Sequence, residues 1–306
     1  MHLVWTLDPR RDDPRFCEGE VTEKRILVTG ASSGIGRACA LRLAAAGHQV
    51  IGVSRSGAPD AKSGPVLPSG NIEYLRMDIA DADTVQQTVE EVVSRMSRLD
   101  VVINSAGISV GGSLEDTPLE LVRSQMETNL LGAIYLTRAA LPYLRHSAPS
   151  SLIHVSSLAG EVALPYQALY SATKFGLNGF CEALRYELEP QGVRIISVQP
   201  GSVRTEMTKN RQTVAASEPY RTSADAAMAV NNADEESGVD PDAVAQMVEE
   251  IICDEKAIGW QTVGHLRERI SVPARRLLPD LWFRRIIASH YGIASALQDR
   301  RRKSNG

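Results

Sequence analysis

The sequence predicts an α/β fold: a single doubly wound domain around a mostly parallel sheet of about seven strands, with helices on both faces. Three observations predict it. Short apolar runs alternate with helical patterns from Lys24 onward. The runs are continuously apolar, as in strands covered on both faces. The residues able to do chemistry cluster just after the runs, where open parallel sheets bind their ligands.

The elements follow in order. RILVTG (25–30) is a buried strand closed by glycine, and GRACALRLAAAG (36–47) is an Ala-rich helix ending at Gly47. QVIGVSR (49–55) is a second strand, followed by a Gly/Pro/Ser-rich loop to Gly70, and IEYLRM (72–77) is a third. DADTVQQTVEEVVSRM (81–96) combines an acidic start with apolar residues at helical spacing. LDVVINSAG (99–107) is a fourth strand and 118–145 reads as one long helix. SLIHVSS (151–157), a helix around 168–189 and VRIISVQPG (193–201) continue the alternation, and right-handed crossovers leave the doubly wound arrangement. Residues 202–238 are too long for an ordinary connection and predict a substrate lid with short helices, given an apolar inner surface by Met207, Val214, Tyr220 and Met228. PDAVAQMVEEII (241–252) is a helix and AIGWQTVG (257–264) the last strand. The organisation expected is therefore a loosely ordered extension over 1–23, a catalytic domain over 24–264, and a helical extension with a basic tail over 265–306.

Composition narrows the classes. The chain is 43% hydrophobic and 23% charged, within the range of soluble globular proteins. A net charge of −4 gives no global attraction to nucleic acid. Cys17, Cys39, Cys181 and Cys253 are widely spaced, without CxxC or a histidine at ligand spacing, which argues against a disulfide framework or a metal site and for a cytoplasmic setting. No apolar run approaches the roughly 18–20 residues that span a bilayer, and the first residues lack the basic-then-apolar order of a secretion signal. Charge is uneven, however: Arg267 to Lys303 holds ten basic residues against three acidic. Within it, VPARRLLPDLWFRRIIASHYGIASAL (272–297) places Trp282, Phe283, Ile286 and Ile287 among arginines at helical spacing. Such a segment packs on its own core or on a second subunit more often than on an anionic membrane surface.

Two stretches carry the chemistry. Between the first strand and its helix stands Thr29-Gly30-Ala31-Ser32-Ser33-Gly34-Ile35-Gly36. Glycines there permit a tight turn and close backbone approach to a phosphate, and the helix start offers free N–H groups and a positive dipole end. A glycine-rich turn without a ligand is the plainer reading, which placement between strand and helix disfavours. At the end of the second strand, Ser54 and Arg55 replace the acidic residue that would repel a 2′-phosphate, and a guanidinium can clamp one. Ser32 and Ser33 add hydroxyls. The nucleotide expected is NADP(H). Farther on, Tyr170 and Lys174 lie four residues apart, one helical turn, a pattern that surface helices also show.

The TGxxxGIG loop resembles that of the short-chain dehydrogenase/reductase family, and the resemblance covers roughly residues 24–205. Asp78-Ile79 is similar to the family's adenine-contacting pair, and Asn104-Ser105-Ala106-Gly107 to its NNAG element with Ser105 in place of the second Asn. Asn129 matches its helix asparagine, and Ser157 stands thirteen residues before Tyr170 as its catalytic serine does. Pro200-Gly201, Val203 and Thr205 resemble the PGxxxT segment at the nicotinamide end. The resemblance implies a Rossmann-type fold in which Tyr170 donates a proton to a carbonyl oxygen. Lys174 would lower the tyrosine's pKa from about 10 and hold the ribose, Ser157 would stabilise the oxygen, and Asn129 would anchor a water. It also implies a homodimer or homotetramer. Extensions in steroid- and retinoid-acting members, which the tail loosely resembles, point to a bulky apolar ketone or secondary alcohol, steroid-, retinoid- or polyketide-like. Alternatives remain open at individual positions. Ser156 competes with Ser157; Asn129 could serve a helix irregularity; His154 reads as a core or supporting histidine; Glu161 could orient a polar substrate group. A non-catalytic NADP(H)-binding regulator is the other class, disfavoured because a sensor needs no proton donor. Sugar epimerases space their glycines differently, and enoyl reductases space Tyr and Lys more widely.

Overall fold

The computed structural model describes residues 22–59 and 72–294. Nearly all of the expected N-terminal extension, most of the loop before Gly70 and the end of the basic tail lie outside them. The first half runs β1 (Arg25–Thr29), α1 (Gly34–Ala45), β2 (Gln49–Ser54), β3 (Ile72–Arg76), α2 (Ala82–Met96), β4 (Val101–Asn104) and β5 (Val110–Gly111). Then come α3 (Leu119–Met126), α4 (Gly132–His146), β6 (Ser150–Val155), α5 (Ala168–Leu188) and β7 (Val193–Pro200). The chain continues through α6 (Glu206–Asn210), β8 (Gln212–Thr213), α7 (Arg221–Glu236), α8 (Pro241–Cys253), β9 (Gly259–Val263), α9 (Leu266–Leu277) and α10 (Asp280–His290).

Seven strands form one parallel sheet in the order β3-β2-β1-β4-β6-β7-β9. Alternation within β1 shows how the sheet is covered. Ile26 and Val28 face a core shared with Cys39 and Leu43 of α1 and Val244 and Val248 of α8. Leu27 faces the opposite core, with Val85 and Val89 of α2, Leu136 of α4 and Leu177 of α5. All of these are fully or almost fully buried, each contributing about 1.5–3 kcal/mol of transfer free energy. The sheet is therefore wound on both faces, and the chain departs in opposite directions from β1 and β4, opening a crevice beyond their carboxyl ends.

Three elements differ from expectation. The long helix over 118–145 is interrupted by a π turn at Glu127–Leu131, and Asn129, the residue that could serve a helix irregularity, stands inside it. The lid contains a sixteen-residue helix, α7, rather than only short ones. Its buried face is Ala224, Ala227, Met228 and Asn231, too small and polar to register as an apolar stripe. The amphipathic tail is two helices rather than one, divided at Leu278–Pro279, where proline starts α10. A separate two-stranded ladder, β5 pairing with β8, joins the lid to the segment after β4.

Candidate active site

The crevice is a cleft of about 730 Å³. Its floor at the β1–α1 turn is built from glycines. Gly30 and Gly34 have φ of +69° and +52°, and a Cβ on Gly30 would approach the Ala106 amide nitrogen at 3.0 Å. A Cβ on Gly36 would stand 2.5 Å from the Gly30 carbonyl oxygen. No side chain caps the start of α1 and its first turn holds no acidic residue, so its N–H groups and dipole remain for an anion. This cradle fits a dinucleotide pyrophosphate. Ser32, Ser33, Gly34 and Ile35 line the cleft, as do Ser54, Arg55, Asp78 and Ile79 at the ends of β2 and β3. Arg55 is exposed, whereas the Ser54 hydroxyl donates to the Gly57 carbonyl at 2.8 Å. Ala106, Gly107, Pro200, Gly201, Val203 and Thr205 complete this half.

Two residues predicted to touch the cofactor do not line the cleft. Gly36 is buried under Gly30, where its role is close packing of helix on loop. Asn104 lies in a buried polar row that crosses the sheet, in register with Thr29 of β1 and His154 of β6. The Ser105 and Ala106 amides donate to Thr29 Oγ1, each at 3.1 Å, and Thr29 donates to Asn104 Oδ1 at 2.8 Å. Asn104 Nδ2 lies 3.2 Å from His154 Nδ1, and His154 Nε2 lies 3.3 Å from Thr137 Oγ1, which donates to the Ala133 carbonyl. Every link is satisfied if His154 is neutral with its proton on Nε2. Burial, with the Lys174 charge adding to it, lowers its pKa to about 3. His154 and Asn104 thus hold the loop carrying Ala106 and Gly107; they are positioning residues.

The catalytic candidates converge on the other side of the cleft. β6 ends at Val155, and Ser157 caps the short turn Leu158–Gly160, its Oγ accepting from the Ala159 amide at 3.0 Å. One helical turn apart on α5, Tyr170 and Lys174 both line the cleft, with Lys174 Nζ 5.6 Å from the tyrosine ring centroid. Lys174 donates to the Val155 carbonyl at 3.0 Å, and burial lowers its pKa to about 8. Burial pushes Tyr170 up to about 12, against a lowering hydrogen bond from Ser157. Desolvation of the phenolate dominates this shift. Ser157 rather than Ser156 meets Tyr170; Ser156 also lines the cleft, with its hydroxyl buried and unpartnered. Asn129 stands in the π turn, where its carboxamide accepts from the Ile108 amide at 2.8 Å and donates to the Ile108 carbonyl at 2.9 Å. It also reaches Thr173 of α5 at 3.4 Å. Its side chain ties the loop after β4 to the catalytic helix and does not line the cleft.

The outer wall comes from the lid and the C-terminal helices. Of the four residues expected to give the lid its apolar inner surface, Met207 lines the cleft and Val214, Tyr220 and Met228 do not. Met228 packs under Gly111, Val214 stands against Gly112, and Tyr220 donates to Glu115. Arg211, nearly buried, pairs with Glu235, which also accepts from Asn231 and Thr208. Asp234 accepts from Arg267 of α9 at 2.6 Å and pairs with His290 of α10 at 2.7 Å. Glu161 accepts from Asn178 and Gln199 on Oε1 and from Arg276 on Oε2, contacts that tie it to the surrounding protein. Sequence reasoning missed Asp234, Glu235, Glu268, His290 and Gln167. Gln167 is the recoverable one: it stands at the start of α5, one turn ahead of Tyr170, 2% exposed, with Nε2 unpartnered. The acidic pair lies over a hundred residues from the cleft floor, and no local pattern announces it.

Comparison with known proteins agrees with this geometry. The family model described as short chain dehydrogenase matches residues 24–215. A 3-ketodihydrosphingosine reductase of Bacteroides thetaiotaomicron is 34% identical over 274 residues, covering 88% of this chain and 98% of that protein. A solved short-chain dehydrogenase from Streptomyces avermitilis superposes with a TM-score of 0.74 at 26% identity, covering 91% of this chain and 99% of the other. Another, from Burkholderia cenocepacia in complex with NADP, gives 0.64 at 27% identity over 78% of this chain and 96% of its own.

Proposed function

The chain belongs to the short-chain dehydrogenase family, and from that membership we propose an NADP(H)-dependent oxidoreductase that interconverts a ketone and a secondary alcohol. One observation carries the reading: Ser157, Tyr170 and Lys174 meet in the same cleft as the glycine cradle. A bound reduced nicotinamide supplies the hydride. Tyr170 gives its hydroxyl proton to the carbonyl oxygen, so hydride and proton together convert C=O to CH–OH. A tyrosine pushed up to about 12 is protonated at neutral pH, the state that reduction requires. Ser157 holds the same oxygen as charge develops on it. Lys174 holds the ribose and recharges Tyr170 with a proton.

Arg55 and the absence of an acidic residue at the end of β2 support NADP(H), and the NADP-bound neighbour agrees in kind. A bulky apolar ketone is supported by the chamber beyond the triad, walled by Leu158, Val162, Leu164, Met207, Ile286 and Ile287. The name of the Bacteroides relative makes a long-chain 3-keto lipid the first member of that class to try. Gln167, with its unpartnered amide, would bind a polar group near the carbonyl. A cytoplasmic homodimer or homotetramer completes the proposal.

The test is a carbonyl panel assayed with NADPH and with NADH. Tyr170→Phe should abolish turnover while nucleotide binding persists; full activity in that variant would remove Tyr170 as the acid. Arg55→Ala should raise the KM for NADPH roughly 10–100-fold, the value of hydrogen bonds to a charged group, and leave NADH unchanged.

A further inference from the structure

The two C-terminal helices leave an unusual amount of apolar surface uncovered. α9 buries none of its side chains, and α10 buries only Phe283 and Ala288. Leu266, Ile270 and Leu277 fall on one stripe of α9 and are 69%, 49% and 82% exposed. Leu281, Trp282 and Ile286, at i, i+1 and i+5 on α10, are 46%, 63% and 53% exposed. Arg285 shares that face. Over Leu266–His290 the sequence holds six arginines against Glu268 and Asp280, in a chain whose net charge is −4. Arg275 and Arg284 reach Asp280 at 3.4 and 3.8 Å and Arg276 reaches Glu161 at 3.2 Å, yet all three stay between 45% and 67% exposed. Such surface pairs are weak and leave the positive field standing.

We propose that α9 and α10 form a docking surface for an anionic lipid bilayer. Apolar stripes on two consecutive helices, interleaved with arginines and carrying an exposed tryptophan, match what an interfacial helix presents to headgroups and acyl chains. Charge selects the occupant. A second copy meeting this face about a two-fold axis would set arginines against arginines, including Arg285 within each apolar face. Phosphate-bearing lipid complements it. The surface is continuous with the cleft: Ile286 belongs both to the exposed stripe and to the cleft wall, beside Ile287, His290 and Tyr291. A bilayer docked there would lie at the mouth of the chamber. Docking itself is independent of the proposed reaction; its use for loading an apolar ketone rests on that reading.

The experiment is co-sedimentation of the full chain with vesicles of phosphatidylcholine alone and of phosphatidylcholine mixed with phosphatidylglycerol, at low and high salt. The expected result is binding to the mixed vesicles that high salt weakens at least about tenfold. Leu281→Glu with Trp282→Glu should abolish it, and Arg284→Glu with Arg285→Glu should remove the preference for phosphatidylglycerol. Both pairs should reduce a water-soluble ketone at the wild-type rate, which establishes that they fold. The proposal is overturned if wild type fails to sediment with the mixed vesicles, or if both variants bind as wild type does. It is equally overturned if light scattering shows the apolar variant splitting an oligomer while vesicle binding is absent, which would assign the face to a second copy. Vesicle binding without turnover of any ketone would sink the proposed reaction and leave the docking surface standing.

Discussion

At the scale of single residues, His154 joins full burial to a pH-dependent cost. It is 0% exposed, and the row Thr29–Asn104–His154–Thr137 needs it neutral. A histidine whose folded pKa is lowered to about 3 binds fewer protons folded than unfolded at any pH below its reference value near 6.5. Acid therefore favours the unfolded chain: stability is lost as pH falls from about 6.5 toward 3, by up to about 5 kcal/mol. Urea unfolding at stepped pH should show this slope, and His154→Gln should flatten it relative to wild type; equal slopes would deny the burial cost. The same row accounts for Asn104, which the motif alone assigns to the cofactor. The motif locates a residue at a strand end, but the register turns its amide sideways along the sheet.

Among the elements, α7 depends on one charged contact. Arg211 has only 2% of its side chain exposed and is held by Glu235, Asn232 and Ser109. Glu235→Ala would leave that guanidinium buried beside a lost carboxylate, a change worth about 3–5 kcal/mol. Thermal melting should register it, and Arg211→Met added to Glu235→Leu should recover most of the loss; a double variant no better than the single would show that the pair contributes packing instead. Strands and sheet helices were legible in the sequence because each buries a periodic apolar face, as Val85, Val89, Val92 and Met96 do on α2. The glycine cradle and the Ser157, Tyr170 and Lys174 set were legible because a short chemical pattern sits at a predictable place in the topology. α7 was not, since alanines and polar groups form its inner face. The π turn was half visible, in Asn129, whose partner Ile108 lies twenty-one residues away and gives no local signal. The split between α9 and α10 was half visible, in Pro279.

For the whole molecule, the cleft joins parts that are distant in sequence: the ends of β1, β2, β4, β6 and β7, the lid, and both C-terminal helices. A ligand there should stabilise all of them together. Saturation with NADPH at about a hundred times its Kd should add about 2.7 kcal/mol to the free energy of unfolding in a single transition. NADH at the same concentration should add less, and an equal shift would remove Arg55 from nucleotide choice. A parallel sheet also polarises the molecule. β1 begins at Arg25 on the edge opposite the cleft, whereas α10 ends at His290 on the cleft's own rim. For anyone attaching this protein to a bead or to a fusion partner, the two ends are therefore unequal. A tether fixed at Lys24 would leave the entrance open, while one fixed at His290 would stand in the doorway.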